Sequence, residues 1–442
     1  MTNDILITNV NVLGERVADI YISDGRIAEV GSGLTQKAAS VIDATGLVAL
    51  PGLVDLHTHL REPGFEQSET VLTGSRAAAA GGFTTVFAMA NTNPVADNAG
   101  VVEQVARLGE EAGFVTVRPI GAVTVGLAGE SLSDIGAMAN SRAQVRVFSD
   151  DGKCVHDSLL MRRALEYVKG FGGVVAQHAQ DPRLTIDAQM NEGEVSARLG
   201  LNGWPAVAEE SIIARDVLLA EHVGARIHVC HLSTAGSVEI VRWAKARGIE
   251  VTAEVTPHHL LLTDDLAENY DARFKVNPPL RTAADVKALR DAVADGTIDI
   301  VATDHAPHPV ETKDCEWDHA AFGMVGLESA LPIVNTTLVR TGLITWSDVA
   351  RILSQTPARI GSLDGDRTLS IGQVADITLF NPDATRTWST DDVVSRSKNT
   401  PFTGIELAGA VEYTIRHGYL TVAQGEVVAD DIVARAGQVT RG

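Results

Sequence analysis

Short apolar runs alternate with longer stretches rich in Ala, Leu, Glu and Arg from about residue 53 to residue 305. Eight runs rich in β-branched residues recur there, at 52–60, 83–91, 114–124, 144–152, 173–179, 226–233, 250–259 and 298–306. Between them lie predicted helices, several ending in glycine, the usual helix stop, as at 69–82, 98–113, 156–170, 207–224 and 283–296. Eight strand–helix units in series predict an α/β fold, a (β/α)8 barrel of the TIM type over residues 53–365.

The two ends of the chain differ from its centre. Residues 1–50 consist of short strand-like segments and turns, with Asp24-Gly25 as a hairpin signal, and residues 366–442 resume the same pattern. We therefore predict a small β-sandwich domain formed from both termini, residues 1–52 plus 366–442.

Composition and charge narrow the classes of partner. The 442 residues are 45% hydrophobic, and the net charge of −21 repels nucleic acid and anionic membranes, so we expect neither as a partner. No apolar run reaches the ~20 residues of a membrane span, and no signal peptide is recognisable. Three cysteines without CxxC spacing, Cys154, Cys230 and Cys315, indicate reduced thiols and a cytoplasmic protein.

The most informative stretch is "PGLVDLHTHLREPG", residues 51–64. Side chains alternate between the two faces of a strand, so His57 and His59 share a face, and Arg61 shares it if the chain stays extended. Barrel chemistry sits at the carboxyl ends of the strands. Two inward-pointing imidazoles at such an end predict a metal site.

Further metal-ligating residue types recur at other strand ends. They are Asp150 and Asp151 on the fourth run, His178 on the fifth, His228 and His231 on the sixth, and Asp304 on the eighth. Each alone is commonly a cap or a satisfied polar residue. Their joint placement at strand ends outweighs that explanation and supports the metal site.

Spacing alone leaves some choices open. Asp150 and Asp151 point to opposite faces, so alternation does not select between them. His228 is an odd number of residues from His231, so we expect it to face the helix layer. His258 and His259 end the seventh run, but the ligand set is complete without them.

This pattern resembles the amidohydrolase superfamily, and within it the longer bacterial type of dihydroorotase. The resemblance covers essentially the whole chain. The motifs that carry it are "DLHTHLREPG" (55–64), "ANTNP" (90–94), "FSDDG" (148–152), "NPPLR" (277–281), "ATDHAPH" (302–308) and "KNTPF" (398–402).

The resemblance implies roles for individual residues. The implied ligands of one or two zinc ions are His57, His59, Asp151, His178, His231 and Asp304. Asp304 is also the implied catalytic acid and base, and the implied substrate-binding residues are His59, Arg61, Asn91, Asn277, His308, Phe322 and Gly323. Many superfamily members bridge two metals with a carboxylated lysine on the fourth strand. Here that strand ends in Asp150-Asp151, and Lys153 lies past it in a turn.

The implied reaction is the reversible conversion of (S)-dihydroorotate and water to N-carbamoyl-L-aspartate, the third step of pyrimidine biosynthesis. The alternatives are a related cyclic amidohydrolase, such as hydantoinase or allantoinase, and a non-catalytic relative that has kept the fold. The partners we expect are a small-molecule substrate, a second copy in a homodimer, and aspartate carbamoyltransferase. Segment 306–323 is long and polar for a strand–helix loop and is predicted to be a lid.

Overall fold

The structure is a computed structural model, which describes residues 4–429. The predicted ends 1–3 and 430–442 of the terminal β-domain lie outside the described residues. The strands of the described part are β1 (Ile5–Val12), β2 (Arg16–Ser23), β3 (Arg26–Gly31), β4 (Ser40–Asp43), β5 (Val48–Pro51), β6 (Leu53–Thr58), β7 (Phe83–Ala88), β8 (Thr116–Pro119), β9 (Val147–Phe148), β10 (Val174–Gln177), β11 (Met190–Asn191), β12 (Gly203–Trp204), β13 (Ile227–Val229), β14 (Val251–Val255), β15 (Ile300–Val301), β16 (Ile377–Thr387), β17 (Glu406–Arg416), β18 (Tyr419–Ala423) and β19 (Glu426–Val427).

Helices follow the central strands. They are α1 (Val71–Ala80), α2 (Ala99–Ala112), α3 (Ile135–Asn140), α4 (Ser158–Lys169), α5 (Glu194–Leu199), α6 (Val207–Val223), α7 (Ala235–Ala246), α8 (Ala283–Asp295), α9 (Ala330–Val334), α10 (Trp346–Ala350) and α11 (Thr356–Ile360). Several predicted stops are confirmed: Gly113, Gly224 and Gly296 follow α2, α6 and α8 in left-handed conformation. No helix within residues 4–429 is long and apolar enough to cross a membrane.

The eight predicted runs each contain a parallel strand, so the α/β class is confirmed. β6, β7 and β8 pair in that order, and β9, β10, β13, β14 and β15 pair in a second series. Hydrogen bonds join the two series at both junctions. Gly121 N donates to Val147 O at 3.1 Å, and His59 N donates to His305 O at 2.9 Å. These bonds connect the eight strands in a closed ring.

The two faces of the ring strands pack into different clusters. Outward residues such as Val175 and Val229 pack with helix residues such as Leu165 of α4. Inward residues such as Val174 and Ala176 form a second cluster, which also includes residues of α11. In parallel closed sheets, the functional polar groups lie at the carboxyl ends of the strands, beyond such apolar clusters.

Strands from both chain ends meet in one nine-stranded sheet, in the order β19-β18-β17-β16-β5-β1-β2-β3, with β4 on β1. β5 pairs antiparallel with β16, so the amino-terminal and carboxyl-terminal strands are directly hydrogen-bonded. A separate core contains Ile20 and Ile27 from one end of this sheet together with Ile377 and Ile415 from the other. The domain boundaries at 52/53 and 365/366 stay a prediction.

Candidate functional site

Four imidazoles and two carboxylates converge at the carboxyl end of the ring. Asp151 is at the centre: its Oδ1 lies 3.3 Å from His57 Nε2 and 3.4 Å from both His178 Nδ1 and His231 Nε2, while its Oδ2 lies 3.3 Å from His59 Nε2. Asp304 Oδ1 lies 3.0 Å from His59 Nε2 and 3.4 Å from His57 Nε2. All six side chains are buried. The structure thus brings together every residue predicted as a metal ligand.

The choice between Asp150 and Asp151 depends on a neighbouring loop. Asp150 Oδ1 accepts hydrogen bonds from the backbone N–H groups of Val123 (2.7 Å) and Thr124 (3.0 Å), and its other oxygen accepts from the Thr124 hydroxyl. Its carboxylate is therefore used in anchoring the loop after β8. Only Asp151 of the two reaches the cluster.

Three of the four histidines have one ring nitrogen bound to an acceptor outside the cluster. His57 Nδ1 donates to Glu254 Oε1 (2.6 Å), His59 Nδ1 to Asn91 Oδ1 (2.9 Å), and His178 Nε2 to Gln180 Oε1 (2.7 Å). A neutral imidazole that donates through one nitrogen has a lone pair on the other. In each of the three, the ring nitrogen nearer Asp151 is the one left available, so the neutral form, reached when a metal ion displaces the proton, is oriented as metal-ligating histidines usually are.

The donor set fits a metal ion. His57 Nε2 and Asp151 Oδ1 are buried without a hydrogen-bond partner among the described residues, and such groups are costly unless something binds them. Two triads with closely spaced donor atoms share Asp151: one with His57 and His59, the other with His178 and His231. Imidazole and carboxylate ligands suit zinc and related transition metals.

The sixth strand differs from the prediction. His228 was expected to face the helix layer, but it lies between Ile227 and Val229, which belong to the outer cluster, so it points inward. Its Nε2 lies 3.0 Å from Glu254 Oε2. The prediction was wrong because β13 ends at Val229 and His231 has a positive φ of 32°, which breaks the alternation. Both histidines therefore point into the ring at different depths.

The charges of the cluster act on one another. Burial alone would lower the pKa of His57, but the carboxylates of Asp151, Glu254 and Asp304 raise it well above its usual range. Burial raises the pKa of Asp304, but the positive charge of His57 and the hydrogen bond from His59 outweigh it and lower that pKa to about 2. Asp304 is thus ionised at neutral pH, with its carboxylate available to a cation.

Arg61 reaches the site by a different path from the one predicted. β6 ends at Thr58, and Arg61 has a left-handed φ of 63°, so an extended chain does not place it. Its Nε donates to Pro307 O at 3.2 Å, and its Nη2 lies 3.3 Å from His308 Nε2. Burial lowers the pKa of Arg61 to about 10, so it stays charged at neutral pH beside the cluster.

The remaining predicted substrate-binding residues border the same region. His308 Nε2 lies 2.8 Å from Phe322 O, and the space beside Gly323 is filled by His308. Asn277 Nδ2 donates to Gln180 Oε1 at 3.1 Å, and Gln180 in turn contacts His178. Asn91 Nδ2 lies 3.5 Å from the backbone oxygen of Asp151. The structure therefore brings all of them to the rim of the cluster.

Two residues at the site, the buried Glu254 and the partly buried Gln180, were missed by the sequence reasoning. Glu254 holds His57 and His228, and Gln180 links His178 to Asn277. A carboxylate inside the apolar run 250–259 was a visible signal for Glu254, because a buried charge needs partners. Gln180, two residues after a predicted ligand, carried no comparable signal.

Comparisons with known proteins identify relatives of the whole chain. The family model described as "Dihydro-orotase-like" matches residues 46–237. The chain is 69% identical to the dihydroorotase of Leifsonia xyli, over 93% of this chain and 94% of the relative. It is 65% identical to the dihydroorotase of Streptomyces coelicolor (96% and 99% covered) and 56% identical to that of Mycobacterium tuberculosis (94% and 97% covered).

Solved structures with a similar fold are more distant in sequence. The L-hydantoinase (dihydropyrimidinase) of Arthrobacter aurescens matches with a TM-score of 0.85 at 24% identity, over 97% of this chain and 98% of that one. The dihydropyrimidinase of Brevibacillus agri matches with a TM-score of 0.82 at 24% identity, with 96% of each chain covered. At this identity the likeness concerns the fold alone.

Proposed function

The chain belongs to the dihydroorotase family, and on that premise we propose that its buried cluster catalyses the reversible, zinc-dependent hydrolysis of (S)-dihydroorotate to N-carbamoyl-L-aspartate. The reaction opens a cyclic amide and is the third step of pyrimidine biosynthesis. The observation that carries the proposal is that the six predicted ligands form one cluster, with four histidines around Asp151 and Asp304 against two of them, and with Arg61 beside it. An unreactive amide needs both an activated nucleophile and a protonated leaving group.

We assign the metal ligands by the two triads. His57, His59 and Asp304 would hold one ion and His178 and His231 a second, with Asp151 within reach of both groups. A bound zinc ion would supply a water with a lowered pKa and would polarise the amide carbonyl. The outward hydrogen bonds of His57, His59 and His178 fix the ring orientations before any ion binds.

Asp304 is the proposed proton carrier. It is buried beside His57 and His59, and the positive charge around it lowers its pKa, so its carboxylate is ionised at neutral pH. It takes the proton of the attacking water and delivers it to the amide nitrogen as the C–N bond breaks. The side chain of Asp304 is short. The proton transfer therefore requires the amide of the substrate to lie directly beside the cluster.

Substrate recognition is assigned to the rim. Dihydroorotate carries a carboxylate, and the planar guanidinium of Arg61 offers it a two-pronged, charge-assisted contact. Asn91, Asn277, His308 and the Phe322-Gly323 backbone, together with His59, complete the proposed contacts. Burial and the positive charge of Arg61 lower the pKa of His308 to about 3. His308 is therefore neutral at pH 7 and leaves the positive charge of Arg61 free for the substrate.

The test is a substrate panel with the zinc-loaded full chain. We expect turnover of dihydroorotate and, in reverse, of carbamoyl aspartate, with little turnover of hydantoin, dihydrouracil or allantoin, which lack the ring carboxylate. Preference for one of those rings would assign the chain to the alternative hydantoinase or allantoinase activity. Zinc binding without turnover of any of them would favour the non-catalytic alternative.

We further propose that the closed ring is a TIM-type (β/α)8 barrel and that residues 1–52 with 366–442 form a β-sandwich. The hydrogen bonds at both ring junctions support the barrel, and the separate core of the terminal sheet supports a domain formed from both chain ends. Three free cysteines support a cytoplasmic location. A homodimer and an association with aspartate carbamoyltransferase complete the proposal, and sedimentation of the chain alone and with that enzyme tests both.

A further inference from the structure

Segment 306–323 leaves the site after Asp304 and returns to it, carrying His308 at one end and Phe322-Gly323 at the other. Its two ends lie side by side, since Ala306 N donates to Met324 O at 2.9 Å. Two short 3-10 turns, Val310–Thr312 and Trp317–His319, form the part between them. A segment of this length with so little regular structure needs other contacts to hold its ends in register.

Lys313 supplies one such set of contacts. Its ammonium donates to three backbone carbonyls: Ala321 O (2.8 Å), Gly323 O (2.9 Å) and Lys275 O (3.1 Å). Lys313 is 7% exposed, and these three hydrogen bonds of its ammonium are all to backbone carbonyls. Three N–H donors thus meet three acceptors, two of which belong to the returning end of the segment.

Asn399, in the "KNTPF" motif, supplies the second set. Its Oδ1 accepts from His308 N at 3.1 Å, and its Nδ2 donates to Ala306 O (3.0 Å) and Gly323 O (3.2 Å). One amide side chain therefore binds the departing and the returning ends together. The proposed reaction assigns no role to the "KNTPF" motif. The hydrogen bonds of Asn399 to both ends of the segment give the motif a structural role.

Gly323 is where the two sets meet. Its carbonyl accepts from both Lys313 and Asn399, and its N–H donates to Lys275 O at 3.0 Å. Its φ is +136°, and an added Cβ would lie 2.8 Å from His308 Nε2 and from Ala306 Cβ. The residue is therefore fixed both by its bonds and by the space around it, directly beside the proposed substrate contacts.

We propose that Lys313 and Asn399 are positioning residues that clasp segment 306–323 and thereby hold His308 and Phe322-Gly323 in place for substrate, an inference that rests on the proposed function for the identity of that substrate. Neither residue belongs to the metal cluster. Lys275 assists, since its ammonium donates to Trp317 O at 2.5 Å and lies 4.4 Å from the centre of the Phe322 ring.

The clasp carries a pH dependence. Burial is the main cause that lowers the pKa of Lys313 to about 7, and the nearby charge of Lys275 lowers it further, while Asp271 and Cys315 act in the opposite direction. A neutral amine has two N–H donors for three carbonyls. We therefore expect substrate affinity to weaken as pH rises through about 7, and this change to be absent once Lys313 is removed.

The test compares Lys313→Met and Asn399→Asp with exposed controls, Lys287→Met and Asn140→Ala. Asn399→Asp keeps the acceptor for His308 but loses the donors to two carbonyls. Hydrogen exchange of the full chain, zinc content, and KM and kcat for dihydroorotate are measured. We expect faster exchange confined to 306–323, a KM raised about tenfold, a smaller change in kcat, and unchanged zinc content. The controls should match the parent chain.

Unchanged exchange in 306–323 with an unchanged KM would overturn the clasp. Faster exchange throughout the chain, or loss of zinc, would mean a general structural role and would also overturn it. If Lys313→Met does not fold, hydrogen exchange and KM of Asn399→Asp decide. If the parent chain does not turn over dihydroorotate, the proposed function fails, while the exchange measurement still tests the clasp.

Discussion

Glu254 Oε1 lies 2.6 Å from His57 Nδ1, and its other oxygen lies 3.0 Å from His228 Nε2. The backbone N–H of His231 also donates to Oε1, at 3.2 Å. One buried carboxylate thus orients the ring of one proposed ligand and the backbone of another. It links the first and sixth strand ends of the ring.

Replacing this carboxylate should weaken zinc binding. Glu254→Gln keeps the size of the side chain but removes the charge that orients His57, and loss of such a supporting group typically lowers metal affinity by about 10–100-fold. Competition with a coloured chelator measures the affinity directly. Glu239→Gln, at an exposed position on α7, is the matched control. Equal zinc affinity in Glu254→Gln and the parent chain would contradict this role.

Asp150 and Asp151 should have opposite phenotypes. Asp151→Ala removes the carboxylate shared by both triads, so we expect loss of bound zinc. Asp150→Ala leaves the ligands in place but frees two N–H groups of the loop after β8, so we expect a lower melting temperature, corresponding to about 1–3 kcal/mol, with most zinc retained. Metal analysis and thermal unfolding on the same samples check this, and the reverse pattern would refute the assignment.

Asp304→Asn should separate binding from catalysis. The amide keeps the shape and one oxygen ligand but does not cycle a proton. We expect most zinc and substrate affinity to remain while kcat falls by at least about two orders of magnitude. Metal content, KM and kcat from one preparation are the measurements. A normal kcat with a lowered melting temperature would assign Asp304 a purely structural role.

Arg61→Ala should raise the KM for dihydroorotate. A charge-assisted contact of this kind is worth about 1.5–3 kcal/mol, or roughly tenfold or more in affinity. Arg61→Lys should recover only part of it, because a point charge does not reproduce the fork of the guanidinium. Initial rates over a range of substrate concentrations test both variants. An unchanged KM in Arg61→Ala would remove this residue from the substrate site.

The order of strands and the ligand types followed from local pattern. Apolar runs of strand length must be buried, and parallel strands in series bring their carboxyl ends to one edge. That is why His57, His178 and Asp304, far apart in the chain, were expected together and are found together. Tight turns between strands, such as Asp24-Gly25, also depend on neighbouring residues only.

Strict alternation failed where the strands are short. β13 has three residues and β15 has two, so the residues beyond them follow the loop rather than the pleat. The positive φ at Arg61 and His231 directs those side chains in ways that period-two counting does not describe. This is why the prediction for His228 was wrong and why the extended path to Arg61 was not found.

The sequence by itself determined the α/β class, the ring strands and the set of candidate ligands, because these depend on hydrophobic periodicity and on residue type at strand ends. The tertiary structure decided that Asp151 rather than Asp150 enters the cluster, that Glu254 supports His57, and that Asn399 reaches Ala306, 93 residues away in the chain. These are hydrogen bonds between distant segments. Their partners are fixed only when the folded backbone brings donor and acceptor within about 3 Å, which no local pattern encodes.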